Sequence, residues 1–331
     1  MKMVRVGYLP LTDALPLLYA RQKGFDEQQG IHLNLVSMAS WAQLRDALLT
    51  GQIDAAHCLP GIPLATQAGI YGAVPRLATA FTLNHSGNTI TVRADLVDHT
   101  QPRPQLLSSA FSRRPPERPL TFASVFPVSK HNFEMRYWLH TQGIRTDDVQ
   151  LQVLPPPSLA AALSAERIDG FCAGEPWGSV AQRLGAGQIM SHSRTLGLPA
   201  TEKVLAVREE WLDSAEHCAL LRCLHASCHE LDTMRNRQRG AVLLADTLGL
   251  GIADIRPALF NEGVFASAGT GEHFLSFAGV NRPDRRHGVW LLVQMFNERG
   301  DDLRPAMDSP ADIGQRTFRS DIYDAVLGTH N

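Results

Sequence analysis

The chain has 331 residues, a length that suits two lobes or domains better than one small core. Its 44% hydrophobic and 19% charged residues are ordinary for a globular chain, and a net charge of -2 supplies no clustered basic face for direct nucleic-acid binding. No apolar run approaches the ~18 residues of a membrane span, so no membrane insertion is expected.

The first predicted strand covers residues 4–9 and leads through Pro10-Leu11-Thr12-Asp13 into a helix ending near Gly24. Gly30-Ile31 precedes the alternating run His32-Leu33-Asn34-Leu35-Val36, a second strand. Ser40-Trp41-Ala42-Gln43 reads as a capping box opening a helix with the apolar stripe Leu44, Ala47 and Leu48, closed by Gly51. Ile53-Asp54-Ala55-Ala56-His57-Cys58 is a third short strand.

The same scheme returns about 115 residues later. A strand over 120–126 leads through Pro127–Lys130 into a helix over His131–His140, and Gly143-Ile144 precedes a strand over Val149–Leu154. Ser158 is expected to cap a short helix, and Ile168-Asp169-Gly170-Phe171-Cys172 closes the unit. From the Gly-Ile pair to the Ile-Asp pair is 23 residues in one copy and 25 in the other. Strand–helix–strand–helix–strand units favour parallel pairing with right-handed crossovers. Two copies predict an α/β fold of two lobes, with a ligand cleft between them lined by the carboxyl ends of the strands. The expected division is 1–88 with 205–331 as the first lobe and 89–204 as the second. Residues 99–119, with five prolines and four arginines, read as a surface excursion or a mobile loop open to a partner.

Several motifs carry a family resemblance: Ala39-Ser40-Trp41, Ile53-Asp54-Ala55-Ala56-His57, Ser86-Gly87-Asn88 and Phe126-Pro127 through His131 to Arg136-Tyr137-Trp138-Leu139. Pro155-Pro156-Pro157, Phe171-Cys172 with Gly174-Glu175-Pro176-Trp177, and Glu202-Lys203-Val204-Leu205 add to them. In these the chain resembles the nitrate- and bicarbonate-binding proteins of ABC transporters, over roughly residues 4–215. The resemblance implies a periplasmic-binding-protein-like fold of type II. The first strand begins directly after Met1-Lys2-Met3, with no apolar export segment ahead of it. The expectation is therefore a cytoplasmic protein, most like the NasS-type nitrate/nitrite sensor, whose implied partner is an RNA-binding antiterminator of the NasT type. The alternative is the receptor component of a nitrate transporter.

The resemblance places Trp41, Asn88, His131 and Lys203 around a nitrate or nitrite anion. Asn88 stands where related proteins often carry Gln. Nitrate is flat, singly charged and unprotonated at neutral pH, and needs converging donors, a positive charge and little water. Lys203 would supply the charge, and His131 lies at a helix start, where backbone N–H groups and the dipole favour anions. Asn88 would donate its amide, and Trp41 its indole N–H or a flat wall. A carboxylate-rich pocket would suggest a metal-assisted bicarbonate site instead; Lys203 favours nitrate or nitrite. Glu175 reads as a hinge or cleft-rim element.

Other candidates carry less. The five cysteines are odd in number and lack CxxC spacing, as free buried thiols in a reducing compartment would be. Cys218, Cys223, Cys228, His225 and His229 share one predicted helix, read as a cysteine-bearing core helix and not as a metal site. No nucleotide loop and no nucleophile–base arrangement is present, so neither a cofactor nor an enzymatic activity is expected.

Overall fold

Val4 and Val6 flank the partly exposed Arg5 and bury one face of β1 (Lys2–Tyr8). The structure, a computed structural model, describes residues 1–98, 100, 105–106, 119–266, 273–299 and 308–328. A short turn of 3-10 helix, Thr12–Ala14, leads into α1 (Leu15–Lys23), which Gly24 closes in the left-handed region at φ 70°. Then come α2 (Phe25–Gln28), β2 (Ile31–Ser37), α3 (Trp41–Leu49), β3 (Ala55–Cys58), α4 (Gly61–Gln67) and β4 (Leu77–His85). Ser40 caps α3, its Oγ accepting the Gln43 N–H at 3.2 Å. Gln43 reaches back one residue further than a capping box requires, its Oε1 accepting the Ala39 N–H at 2.8 Å.

The second run contains β5 (Asn88–Arg93), β6 (Val97–Asp98), β7 (Gln105–Leu106), β8 (Thr121–Ser124), α5 (Lys130–Thr141) and β9 (Gln150–Val153). It continues with α6 (Leu159–Ser164), β10 (Gly170–Gly174), α7 (Trp177–Arg183) and β11 (Gly187–His192), before β12 (Thr201–Arg208). Ser158 does not cap α6. Its backbone is already helical, in a 3-10 turn over Pro156–Ser158, and its Oγ donates to the Pro155 carbonyl at 2.8 Å.

Two five-stranded sheets result, ordered β2-β1-β3-β12-β4 and β9-β8-β10-β5-β11. In each, three parallel strands come from one copy of the repeat, and the fourth strand runs antiparallel to them. The fourth strands are exchanged along the sequence: β5 follows the first run yet pairs with β10, and β12 follows the second yet pairs with β3. Ser86 and Gly87, at φ 59° and 115°, form the turn by which the chain leaves the first sheet for β5.

The chain divides into one unit of 1–86, 199–249 and 275–331 and another of 87–198 and 250–274. This differs from the expected division at three places. Strand pairing draws residues 199–204 into the first unit and Asn88 into the second. Residues 250–274, expected with the first lobe, join the second because α8 (Ala215–Glu230) and α9 (Met234–Leu248) stay with the first, while α10 (Ile252–Phe260) docks on α7. There the Arg183 guanidinium meets the buried Asp254 carboxylate, with Nη2 3.2 Å from Oδ2. Most of the 99–119 excursion lies outside the described residues.

α8 is the cysteine-bearing helix. Cys223 and Cys228 are buried in it, and burial pushes the Cys223 thiol up to about 12. The second unit's core gathers Ile90, Val92, Phe122, Met135, Trp138 and Leu139, with Phe122 edge-on to Trp138 at 6.3 Å. Gly178 in α7 lies so close to β5 that an added Cβ would sit 2.6 Å from Glu175 Oε1 and closer still to Thr89 Oγ1. Gly178→Ala is expected to destabilise the protein by about 1–3 kcal/mol, read as a lowered midpoint in denaturant unfolding.

Candidate functional site

Two groups of buried polar side chains form, one in each unit. In the first unit the register of β12 shifts: Thr201 pairs with His85 and Lys203 with Asn84, leaving Glu202 as an extra residue. Such a bulge re-aims the side chains around it. Lys203 Nζ lies 2.8 Å from Glu202 Oε1 and 2.9 Å from Asp13 Oδ2. Asp13 comes from the turn after β1, and its Oδ1 lies 2.9 Å from His57 Nε2 on β3. Trp41, the first residue of α3, completes the group, with its ring 5.7 Å from Lys203 Nζ and 6.0 Å from the His57 ring.

All five side chains belong to residues 2% exposed or less. Asp13, Trp41 and His57 follow or end the parallel strands at their carboxyl ends, and β12 begins there because it runs the other way. That is the edge at which α/β sheets bind ligands.

Burial by itself would raise the Asp13 carboxyl, but Lys203 and His57 outweigh it and hold the group well below the usual carboxylate range. Burial likewise works to lower Lys203, and Asp13 and Glu202 outweigh it, so the ammonium is held above its ordinary value. Lys203 and Asp13 are therefore an ion pair at neutral pH. The indole Nε1 of Trp41 is buried with no hydrogen-bond partner among the described residues.

In the second unit α5 starts at Ser129, whose Oγ accepts the Asn132 N–H at 3.2 Å. His131 is fully buried in its first turn. Asn88 opens β5 and gives one amide N–H to Glu134 Oε2 at 2.7 Å, and Glu134 Oε1 lies 3.1 Å from Lys130 Nζ. Asn88 is thus tied to the helix that carries His131. Glu175 packs inside this unit. Its carboxyl accepts from Thr89 Oγ1 at 2.7 Å, from the Ser179 N–H at 3.2 Å, and from the Ser179 hydroxyl.

Trp41 and Lys203 are accordingly brought together, and Asn88 is bonded to the helix of His131. The expected set lacked Asp13, His57, Glu202, Lys130 and Glu134. For Asp13, His57 and Glu202 the available signal was charge inside or beside an apolar run, a placement such residues rarely take without partners; Lys130 and Glu134 stand in a mixed polar stretch that gave no such signal. The positive charge expected at Lys203 also has two carboxylates beside it, which the sequence reading did not foresee.

Residues 1–245 match the model of the NMT1-like family. The chain belongs to that family. It is 33% identical over 302 residues to the nitrate import ATP-binding protein NrtC of Synechocystis sp., spanning 88% of this chain and 45% of that protein. It is 28% identical over 309 residues to the nitrate/nitrite binding protein NrtA of Nostoc sp., covering 88% and 69% of the two chains. The chain thus spans about half the length of the NrtC relative. Among solved structures, the periplasmic nitrate-binding protein NrtA from Synechocystis superposes with a TM-score of 0.85 at 24% identity, over 98% of this chain and 88% of that one. The fold is that of the periplasmic binding proteins.

Two outcomes follow from the electrostatics. Lys203→Ala strips the charge that holds Asp13 and Glu202 in the interior, and is expected to cost about 3–5 kcal/mol of stability, read by denaturant unfolding at neutral pH. Burial pushes the Glu175 carboxyl from its ordinary 4.5 up to about 7 despite its hydrogen bonds to Ser179 and Thr89. The folded state then holds this proton more tightly than the unfolded state, so stability falls as pH rises from 4.5 to about 7. Glu175→Gln removes that loss and is expected to be more stable than the parent at pH 8, by up to ~3 kcal/mol, in unfolding measured across pH.

Proposed function

We propose that the protein binds nitrate or nitrite, and that in the cytoplasm it holds an RNA-binding antiterminator of the NasT type inactive until the anion arrives. The observation that carries the anion reading is Lys203: a fully buried ammonium beside a buried indole N–H that has no partner among the described residues. The names of the relatives, nitrate import and nitrate/nitrite binding, point to the same ligand. Trp41, Asn88, His131 and Lys203 are the proposed donors.

Micromolar binding needs about -8 kcal/mol. Three or four hydrogen bonds to a charged group, at ~1.5–3 kcal/mol each, supply it. The fit to nitrate depends on Asp13 and Glu202 being answered by donors, since both carry the same sign as the ligand. A second reading, a binding component of a nitrate transporter, is favoured by the likeness to a protein named for nitrate import.

Lys203→Ala confounds binding with folding, so Trp41→Phe is the sharper variant. It removes the indole N–H and keeps most of the packing. Calorimetric titration with nitrate and nitrite is expected to show binding weakened about 10–150-fold in Trp41→Phe, with the unfolding midpoint nearly unchanged. An absence of binding by the parent protein, or equal affinity in the variant, would remove the anion reading or Trp41 from it. For the sensor role, the antiterminator should co-purify with the protein in nitrate-free buffer and be released by saturating nitrate. Co-purification unchanged by nitrate, or none in either buffer, leaves the transport reading.

A further inference from the structure

Buried indole N–H groups with no hydrogen-bond partner among the described residues occur at Trp41 and at Trp177. A tryptophan taken inside a protein normally finds an acceptor for this hydrogen, and leaving it without one costs free energy. The anion group of the first unit gives Trp41 a use for its donor. Trp177 has none so far. The Thr82 and Thr91 hydroxyls are also buried without partners, but they lie in the middle of β4 and β5. Trp177 instead opens α7, three residues after the last residue of β10. Because β8, β9 and β10 run parallel, this is the carboxyl edge of the second sheet, the edge at which α/β sheets bind ligands. His131 follows β8 at the same edge, and Asn88 stands there too, paired with Gly174 at the end of β10.

We propose that Trp177 is a further specificity-determining residue, whose indole N–H donates to nitrate or nitrite at this edge alongside Asn88 and His131. An indole N–H donates and never accepts. It therefore suits an anion whose oxygens are all acceptors, and turns away a ligand that presents its own O–H at that point. The inference rests on the anion reading given above.

The backbone on both sides of Trp177 is tied to β5. Ahead of it, the Glu175 N–H donates to the Gly87 carbonyl at 2.9 Å. The Glu175 carboxyl accepts from Thr89 Oγ1 on β5 at 2.7 Å and from the Ser179 N–H in α7 at 3.2 Å, so it joins strand to helix across Trp177. Behind it, Gly178 comes so near Thr89 and Thr91 that a Cβ would not fit. These ties hold the start of α7 against the start of β5, where Asn88 stands. With Trp177 only 8% exposed, its ring is packed in place before a ligand arrives, and a donor set in advance pays little ordering entropy on binding. Glu175 and Gly178 are accordingly positioning residues for Trp177.

The test is an NMR titration of the indole N–H resonances of the nitrogen-15-labelled full chain with potassium nitrate, run against potassium chloride and beside calorimetry. The chain has five tryptophans, and single Trp→Phe variants assign their resonances. The expected result is a downfield shift of the Trp177 indole proton that saturates at the calorimetric Kd. Trp177→Phe, shown to be folded by far-UV circular dichroism, is expected to bind nitrate about 10–150-fold more weakly. A Trp177 resonance unmoved at saturating nitrate overturns this inference and leaves the anion reading standing. A shift with equal affinity in the folded variant overturns it as well, since the indole then senses the anion without holding it. Should Trp177→Phe not fold, the other four variants assign Trp177 by elimination and the parent's titration decides. If nitrate gives neither heat nor any shift, the anion reading fails and this inference with it.

Discussion

A lysine ammonium withdrawn from water is the constraint around which the first unit is arranged. Taking an ion of this kind into a protein interior costs several kcal/mol even after relaxation, and only well-placed opposite charge offsets it. Lys203 obtains that charge from two places far apart in the chain, Asp13 after β1 and Glu202 beside it on β12. The turn after the first strand, the tip of β3 and the start of the returning strand are held to one another by this group. Burying so many ionisable side chains together is a poor way to gain stability, since a packed apolar core would do as well or better. Such arrangements occur where a charge is needed for chemistry or recognition, which agrees with the anion reading.

The second unit solves a related problem differently. Lys130 and Glu134 lie one helical turn apart on α5, and Asn88 and Cys172 close on the Glu134 carboxylate from neighbouring strands. Glu175 has only hydroxyl and backbone donors among the described residues, so burial dominates and its carboxyl rises to about 7. Asp13 and Glu175 are both carboxyls on fully buried residues of the same chain, displaced in opposite directions. The difference is the lysine.

The exchange of β5 and β12 makes each sheet depend on a strand from the far side of the sequence. Neither repeat completes its own sheet, so contacts must form across a large sequence separation, which slows folding relative to local pairing. The crossing also explains why Ser86-Gly87 is placed where it is: two successive positive φ angles suit a glycine and tax a serine. The bulge at Glu202 lies at the matching return point.

Much of this was legible in the order of residues. Period-two and helical patterns fixed the two repeats, their strand–helix alternation and hence an α/β class, because side-chain periodicity reports local backbone directly. Ser40 as a cap and Gly24 as a helix stop were equally local. The motifs shared with nitrate-binding relatives singled out Trp41 and Lys203, which the fold places 5.7 Å apart, ring to ammonium. What the sequence could not decide was anything set by pairing at a distance. That Lys203 meets Asp13, that Asp13 meets His57, that Asn88 spends an amide on Glu134, and that residues 250–274 leave the first unit all follow from strand exchange and helix docking. Local propensity names the elements. Only the tertiary structure chooses which buried charges share a carboxylate, because that choice is made by desolvation and proximity between segments that are remote in the chain.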